Sequence, residues 1–433
     1  MTKKKILKTL ALALSMSLLA PFASKVEAKE SANNVNIVSE AAIVMDYDTG
    51  EIVYEKNANE HMYLASTTKL MTALLFAENN KKTDSITYTQ TALDQPPYTL
   101  NSEKMKPYGK SFKVGDTLSA DVVMDGLLLF SGNDVAYMIA DEVGGNKEGF
   151  VKMMNERADK LGLKDTHFEN PNGLPENGKD VNYSTAYELA LITKEAYSNQ
   201  WVKDTMAQSE VNVVLPGDTN VKLENRNTEL GTNGNLGGKT GVTDMAGTCF
   251  AGVYERNGKK YIGVVLKCDR NDNNKRFEDL DSMMDYSEKA EKYTYKSSGD
   301  EIGNVTLNYK LFGFFGPEKT IDAPVVLSED AKIYDNDINN EESTITYNTE
   351  ETSAWKAASS DQVPLTLSIK QYSTELKGKV KLSKMDLIKA NLLIYLASLA
   401  IIIIIIVLII FIIKMIKGNK RRRSSYSRRR RRY

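Results

Sequence analysis

Two residues one helical turn apart, Ser66 and Lys69, have the types and spacing for nucleophilic catalysis. Apolar residues at helical spacing follow the serine and predict a buried helix that begins at or near it. Because residues i and i+3 lie on the same helix face, the lysine amine can reach the serine hydroxyl. A desolvated lysine loses its proton more easily, and its neutral amine can then activate the serine as a general base. Taken alone, the pair also fits a helix cap followed by a solvated lysine.

A second short motif, Ser131-Gly132-Asn133, follows an apolar segment that predicts a helix. A hydroxyl and an amide two residues apart in a turn can face the same cleft, where they relay a proton or bind a substrate amide. A turn with a helix cap explains the same residues more simply when the motif is considered alone.

The third motif, Lys239-Thr240-Gly241, follows two glycines at the start of a predicted strand. Glycines let a ligand backbone approach a strand edge closely. Lys239 and Thr240 on such an edge can hold a terminal carboxylate. An exposed strand lysine is the simpler interpretation of this motif by itself.

The elements around these motifs predict an α+β domain over residues 29–293. A β-hairpin is predicted over residues 41–55, mainly helices over 66–199, and strands near 237–240, 248–254 and 260–268. Strands from both ends with helices between them imply that the terminal segments share one sheet. Short alternating apolar runs after residue 293 predict a small all-β domain at 294–385. Within it, the acidic and polar residues 335–362 predict a flexible loop.

In order and spacing, the three motifs together resemble the signature set of the serine penicillin-recognising enzymes. The surrounding blocks at residues 48–58, 65–73, 129–136, 168–174 and 183–186 are similar to one branch, the low-molecular-mass D-Ala-D-Ala carboxypeptidases. The resemblance covers residues 37–292. It implies a β-lactamase/transpeptidase-like domain that binds penicillin and trims peptidoglycan stem peptides ending in D-Ala-D-Ala, with β-lactams as covalent inhibitors. No cofactor or metal is implied.

The resemblance also implies a role for each motif residue. Ser66 is the expected nucleophile and Lys69 its base, Ser131 and Asn133 relay a proton and contact the substrate amide, and the run Lys239, Thr240, Gly241 clamps the carboxylate. The backbone N–H groups of Ser66 and Val242 are the expected oxyanion hole. Family members often carry a polar or aromatic residue where Val242 stands, which puts only substrate preference in doubt. Arg276 is a further candidate for facing the substrate carboxylate.

The two ends of the chain predict export and anchoring. Residues 1–28 have a basic start, an apolar run and small residues before a cleavage site, the layout of a signal peptide. Residues 392–413 carry no charge and would span about 33 Å as a helix, so we predict a transmembrane helix over 391–413. The basic residues of the tail, 414–433, place it in the cytoplasm and the bulk of the chain outside. The family ends more commonly in an amphipathic anchoring helix, so this tail leaves a cytoplasmic partner open.

Charge and cysteine content narrow the function classes. Without the signal region and tail, 40 basic and 56 acidic residues remain, a net charge of −16. Such a surface argues against nucleic acid as a partner, and the basic tail favours membrane lipid. Cys249 and Cys268 lie in the two arms of a predicted hairpin, where a disulfide and two free buried thiols are both compatible with the sequence. The chain contains only two histidines, His61 and His167, which argues against a zinc site or a Ser-His-Asp triad.

Three other functions compete with a carboxypeptidase. A β-lactamase of the same fold would need a glutamate that speeds deacylation, and Glu169 is the nearest candidate. A transpeptidase would use an amine instead of water as the acceptor. A catalytically dead domain could serve as a surface scaffold.

Overall fold

The computed structural model describes residues 35–347, 353–360 and 362–429, with side chains as far as residue 417. The predicted signal peptide lies outside these residues, and so does the last part of the basic tail. Strands are numbered in chain order: β1 Ala41–Asp46, β2 Ile52–Lys56, β3 Met62–Tyr63, β4 Ser85–Thr87, β5 Thr117–Ser119, β6 Tyr183–Ser184, β7 Glu210–Leu215, β8 Thr219–Glu224, β9 Asn235–Thr243, β10 Gly247–Arg256, β11 Lys259–Cys268, β12 Tyr293–Lys296, β13 Glu301–Lys310, β14 Glu318–Leu327, β15 Ala331–Ile333, β16 Thr344–Tyr347, β17 Val363–Ile369 and β18 Tyr372–Val380.

The α-helices lie mostly between β3 and β7. In chain order they are Lys69–Asn79, Gln90–Leu93, Ala120–Asp125, Asn133–Gly144, Lys147–Lys160, Ala186–Ser198, Gln200–Met206, Lys275–Ser287, Asp337–Glu342, Ala354–Ala357, Lys384–Ala390 and Leu392–Arg429. Single turns of other helix types precede or extend them at Ala65–Thr68, Asn101–Met105, Lys106–Tyr108 and Gly126–Phe130. The predicted order of strands, helices and strands is confirmed.

The main sheet is antiparallel and has the order β2-β1-β11-β10-β9. Its second strand, β1, pairs with β11 from Ala41 opposite Leu266 to Asp46 opposite Tyr261. The side chains of β1 alternate between two buried faces, with Ile43 in the core under the helices and Val44 against the helix Lys275–Ser287. Burial on both faces explains why this strand is apolar throughout, and the terminal segments share one sheet as predicted.

Strand β9 forms the edge of this sheet and lies against the turn that carries Ser66. A Cβ atom on Gly241 would lie 2.9 Å from Leu64 O and 3.1 Å from Ser66 N. Only glycine permits this approach, which brings the third motif beside the first.

A second, five-stranded sheet has the order β13-β14-β18-β17-β16, and a small pair, β12 and β15, lies beside it. The region after residue 293 is therefore rich in sheet as predicted, but it is not all-β, because it also contains the helices Asp337–Glu342 and Ala354–Ala357. Side chains from this region, including Ile338, Leu367 and Ile369, belong to the same hydrophobic core as the main sheet and its helices. The boundary at residues 293 and 294 stays a prediction, because the two regions share this core.

The prediction of a flexible loop over residues 335–362 is wrong for part of the segment. It contains the helix Asp337–Glu342, strand β16 and the helix Ala354–Ala357. The Asn336 side chain accepts a hydrogen bond from Asn339 N and so caps the first helix, and Asn339 Nδ2 donates to Ile52 O at 2.9 Å. These two polar side chains therefore cap the helix and attach it to β2. Residues 348–352 and 361 lie outside the described part of the chain.

The C-terminal helix, Leu392–Arg429, includes the predicted transmembrane segment. Its stretch Leu392–Lys417 is 26 residues long and apolar enough to cross a membrane, and the most apolar part of it is not buried by the rest of the chain. The two cysteines are both free and buried. Cys249 Sγ contacts Ala246 O at 3.4 Å and Cys268 Sγ contacts Asp279 Oδ2 at 3.5 Å, so the structure favours separate thiols over the disulfide.

Candidate active site

Ser66 and Lys69 meet as their spacing predicts. Ser66 lies in the turn Ala65–Thr68, which continues directly into the helix Lys69–Asn79. Lys69 Nζ is 3.0 Å from Ser66 Oγ, 3.1 Å from Asn133 Oδ1 and 2.8 Å from Asn172 O. A neutral amine has two N–H donors and one lone pair. The donors match the amide oxygen and the carbonyl, which only accept, so the lone pair is left for the serine hydroxyl.

Burial makes the neutral form of Lys69 accessible near neutral pH. The side chain is 0% exposed, although Ser66 beside it is partly open to solvent. Desolvation, and secondarily the positive charge of Arg226, lower the pKa of Lys69 to about 7, against a smaller opposing effect of Asp134. The group that the sequence suggests as a base therefore has the pKa that a base needs.

Asn133 is held in an orientation that serves Lys69. Its Nδ2 donates to Pro97 O at 3.0 Å, an atom that can only accept, so Oδ1 must be the atom that faces Lys69. The other acceptor, Asn172 O, belongs to a tight turn in which Gly173 N donates to the Asn170 side chain at 2.7 Å. Sequence reasoning missed Asn172, because its carbonyl takes part and a backbone atom has no residue-type signal.

Ser131 and Lys239 also meet, although 108 residues separate them. Lys239 Nζ donates to Ser131 Oγ at 2.8 Å and to Thr240 O at 3.1 Å. Ser131 ends the helical turn Gly126–Phe130 with a left-handed backbone, φ 73°, which directs the next residues into the helix Asn133–Gly144. Burial and the nearby Lys69, Arg226 and Arg276 charges lower the pKa of Lys239.

The motif residues line one cleft of about 690 Å³. Ser66, Ser131 and Asn133 lie on its helical side, and Thr240, Gly241 and Val242 form the strand edge opposite. The Val242 side chain is 42% exposed, so this position meets whatever occupies the cleft. All the predicted site residues except Lys69 and Lys239 line the cleft. These two buried lysines bond to side chains that line it.

The sequence as a whole matches one known family. The profile of the peptidase S11 family, described as D-alanyl-D-alanine carboxypeptidase, matches residues 26–270, more than half of the chain. The chain belongs to the D-alanyl-D-alanine carboxypeptidase family. The predicted family resemblance is thereby confirmed.

Similar proteins agree with this membership. The D-alanyl-D-alanine carboxypeptidase DacF of Bacillus subtilis is 30% identical over 272 residues, which are 61% of this chain and 66% of that protein. The chain thus matches slightly less than two thirds of this relative's length. The D-alanyl-D-alanine carboxypeptidase of Streptomyces sp. strain K15 is 32% identical over 53% of this chain and 81% of its own length. Penicillin-binding protein D2 from Listeria monocytogenes, solved in a cefotaxime-bound form, superposes with a TM-score of 0.51 at 32% identity and covers 59% of this chain and 98% of its own.

Arg276 lies in the same cleft and has unused hydrogen-bond donors. The side chain is 6% exposed and lines the cleft, and its Nε and Nη1 atoms make no hydrogen bond among the described residues. Burial lowers the pKa of Arg276 to about 10. Two buried donors of a charged group without partners are costly, so the site is prepared for an anion.

Arg226 is a cleft residue that sequence reasoning missed. Its Nε donates to Phe130 O at 2.8 Å, and its guanidinium lies 4.6 Å from the ring centroid of Tyr98. The residue follows β8, whose hairpin with β7 was not predicted, so nothing in the sequence analysis pointed to it. Its positive charge helps to lower the pKa of both Lys69 and Lys239.

Glu169, the candidate for a β-lactamase, lies outside the cleft lining. Its carboxylate is half exposed and accepts a bond from His167 Nε2 at 2.6 Å. From the same loop, Leu174 and Pro175 line the cleft instead. The next glutamate of this loop, Glu176, is not part of the cleft lining either and bonds to Lys147 and Asn170.

Proposed function

We propose that the chain is a serine-type D-Ala-D-Ala carboxypeptidase that removes the terminal D-Ala from peptidoglycan stem pentapeptides through an acyl-enzyme on Ser66. The observation that carries the proposal is the 3.0 Å approach of the buried Lys69 amine to Ser66 Oγ in the cleft. Membership of the family supports the substrate class. The role of each residue below is part of the proposal.

In the first step, neutral Lys69 takes the proton from Ser66 as Oγ attacks the carbonyl carbon of the penultimate D-Ala. Negative charge develops on the carbonyl oxygen, and the backbone N–H groups of Ser66 and Val242 donate hydrogen bonds to it as an oxyanion hole. The bond to the terminal D-Ala then breaks. Through the Ser131 hydroxyl as a relay, its leaving amine gains the proton that Lys69 took from Ser66, so Lys69 is neutral again.

The terminal carboxylate of the substrate is the anion that we expect to bind the unpartnered donors of Arg276. In the proposal, Thr240 and the unpartnered donors of Arg276 bind it in the cleft, Lys239 adds positive charge from behind Ser131, and Asn133 contacts the peptide amide. Water then attacks the ester carbonyl with Lys69 again as the base, which releases the shortened peptide and restores Ser66. β-Lactams resemble the D-Ala-D-Ala dipeptide and acylate the same serine.

The rival functions have less support. The exposed, His167-bonded position of Glu169 does not favour a β-lactamase. The complete motif set does not favour a dead scaffold. A transpeptidase side reaction is compatible with the same acyl-enzyme, since only the acceptor differs.

The proposal predicts release of D-Ala from a synthetic stem pentapeptide by the full-length protein in detergent. The Ser66→Ala variant should lose this activity by about 10⁴-fold or more, because no other described group can form the ester. The variant Val214→Ala, in the exposed hairpin of β7 and β8, is the matched control and should retain activity. Equal D-Ala release by the parent and Ser66→Ala proteins would remove the basis of the proposal.

The pH dependence of acylation follows from the pKa of Lys69. The base must be unprotonated, and its pKa is lowered to about 7. Below that value the neutral fraction, and with it the acylation rate, should fall roughly tenfold per pH unit, and above it the rate should level off. Stopped-flow labelling with a fluorescent penicillin between about pH 5 and pH 9 measures this. A rate that is constant over the range would contradict Lys69 as the base.

We also propose that the helix from Leu392 crosses the cell membrane, with the catalytic region outside and the basic tail in the cytoplasm, where anionic lipid is its partner. The apolar stretch Leu392–Lys417 and the arginines that follow support this orientation. Protease added to intact cells should remove the catalytic region and leave an epitope tag at the C-terminus intact. Loss of the tag without permeabilisation would reverse the orientation.

A further inference from the structure

An uncharged aromatic loop lies beside the first turn of the C-terminal helix. This loop, residues 311–317, connects β13 to β14 and has the sequence Leu-Phe-Gly-Phe-Phe-Gly-Pro. Phe314 is 85% exposed and Phe315 54% exposed, the first being the most exposed large apolar side chain in the described structure. Neither ring is needed for the cleft, which lies in the other region of the chain.

The loop is fixed to the helix by specific contacts. The Tyr395 hydroxyl donates to Leu311 O, and the ring of Phe312 lies 5.5 Å from that of Tyr395, edge to face. Phe312 in turn stacks on Phe315 at 5.0 Å. Because Tyr395 is the fourth residue of the helix, the loop stands level with the point at which the apolar stretch begins.

Neighbouring groups continue the same apolar surface. A groove of about 420 Å³ lined by Leu311, Phe312, Gly313, Trp355, Ile388 and Tyr395 opens beside the loop. On the short helix that precedes the span, Met385 is 56% exposed and Ile388 38% exposed. Lys319 Nζ donates to Asn391 Oδ1 at 2.8 Å, one residue before the apolar stretch begins.

We infer that the aromatic loop inserts into the interfacial region of the outer leaflet and docks the β-rich region onto the bilayer. The occupant is the membrane itself, because the loop is level with the first turn of the proposed span and bonded to it. Aromatic side chains are favoured at this depth, where their rings meet both acyl chains and headgroups. Loop and helix then form two contacts with one membrane, which fixes the tilt of the catalytic region. The inference rests on the proposed span, and is independent of the chemistry at Ser66.

The test uses the full chain at one copy per lipid nanodisc, with a fluorescent dye on a single introduced cysteine. The two native cysteines are buried and should stay unlabelled in the folded protein. Treating the unsubstituted parent with the dye is the control for this. At Phe314→Cys, a nitroxide lipid labelled near its headgroup should quench the dye severalfold more than at Val214→Cys, and iodide in the water severalfold less. Val214 is a matched control because it is also exposed, at 59%, but lies in the catalytic region.

Each other outcome overturns the inference in an identifiable way. Equal iodide quenching at positions 314 and 214 shows that the loop stays in water. Protection at 314 that appears only with several copies per disc shows that a second copy covers it. A dye at Ile404→Cys, in the middle of the proposed span, separates these results from failure of the span, since iodide should not reach it in any inserted chain.

A second measurement avoids a dye in the loop. Trp355 lines the groove, and the other tryptophan, Trp201, is buried in the catalytic region. The nitroxide lipid should quench tryptophan emission in the parent and quench it clearly less in the double variant Phe314→Ser, Phe315→Ser. D-Ala release from a soluble pentapeptide should be the same in both proteins. Unchanged quenching in the double variant contradicts docking through these rings.

Discussion

Replacing Lys69 by Arg should abolish acylation by penicillin, whereas the same change at Lys239 should leave part of it. Lys69 must lose its proton to act as base, and Arg is effectively always protonated. Its loss should lower the acylation rate by about 10²–10⁴-fold, the usual contribution of a positioned base. Lys239 is needed for its charge, so Arg there should cost less than the uncharged Lys239→Met. Mass spectrometry of the Ser66 peptide over time measures the rate.

The Lys69→Arg variant needs a control, because an arginine at this fully buried position would overpack the site. Lys69→Met has a similar volume, lacks both base and charge, and should lose acylation to the same degree as Lys69→Arg. Near-ultraviolet circular dichroism and the melting temperature establish that both variants are folded. If folded Lys69→Met is acylated nearly as fast as the parent, the proton leaves Ser66 by another route, with Ser131 the next candidate.

The change Gly173→Ala should disable the same base from the other side. Gly173 has φ +80°, and a Cβ atom there would overlap Ala65 O, in the turn that carries Ser66. The turn must then move, and with it Asn172 O, which fixes the Lys69 amine at 2.8 Å. We expect an acylation rate at least about tenfold lower and a loss of stability above the roughly 1–2 kcal/mol that a left-handed non-glycine residue costs.

A matched glycine in the same loop isolates the clash. Gly178 has φ +75°, and a Cβ atom there would meet nothing within 4 Å. Gly178→Ala therefore carries the left-handed cost alone, and its acylation rate should equal that of the parent. Denaturant unfolding and penicillin labelling of the two variants give both quantities. Equal behaviour of the two alanine variants would show that close packing of Gly173 on the turn does not matter.

Local patterns in the sequence were sufficient for much of the fold. Ser66 and Lys69 needed only helical spacing to meet, and the strands of the main sheet followed from their apolar residues. The hairpin of β7 and β8 was missed although its signal was present, since alternating valines flank Pro216-Gly217-Asp218. The bond from Lys239 to Ser131 could not be read locally, because it depends on the whole sheet placing β9 beside a helix end. Only the family resemblance put the two residues in one site.

Two further differences have physical causes. Arg226 and Asn172 act through a guanidinium held on an aromatic ring and through a backbone carbonyl, and both positions depend on the tertiary fold. The segment after residue 335 looked disordered because it is polar, but Asn336 and Asn339 use that polarity to cap a helix and bond to β2. Composition alone does not distinguish a solvated asparagine from one that satisfies buried backbone groups.

The pairing of β1 with β11 has a consequence for how the chain folds as it is made. The partners Ala41 and Leu266 lie 225 positions apart, so β1 can pair with β2 at once but lacks its other neighbour until almost the entire catalytic region has been made. Such a long loop closes slowly. Ser66 follows β1 and β2 closely, whereas Lys239 arrives with β9, so a nascent chain has the nucleophile long before it has the clamp. The ability to react with a labelled penicillin should therefore appear only when β11 pairs with β1 and completes the sheet. The time course of labelling then reports when this step of folding occurs.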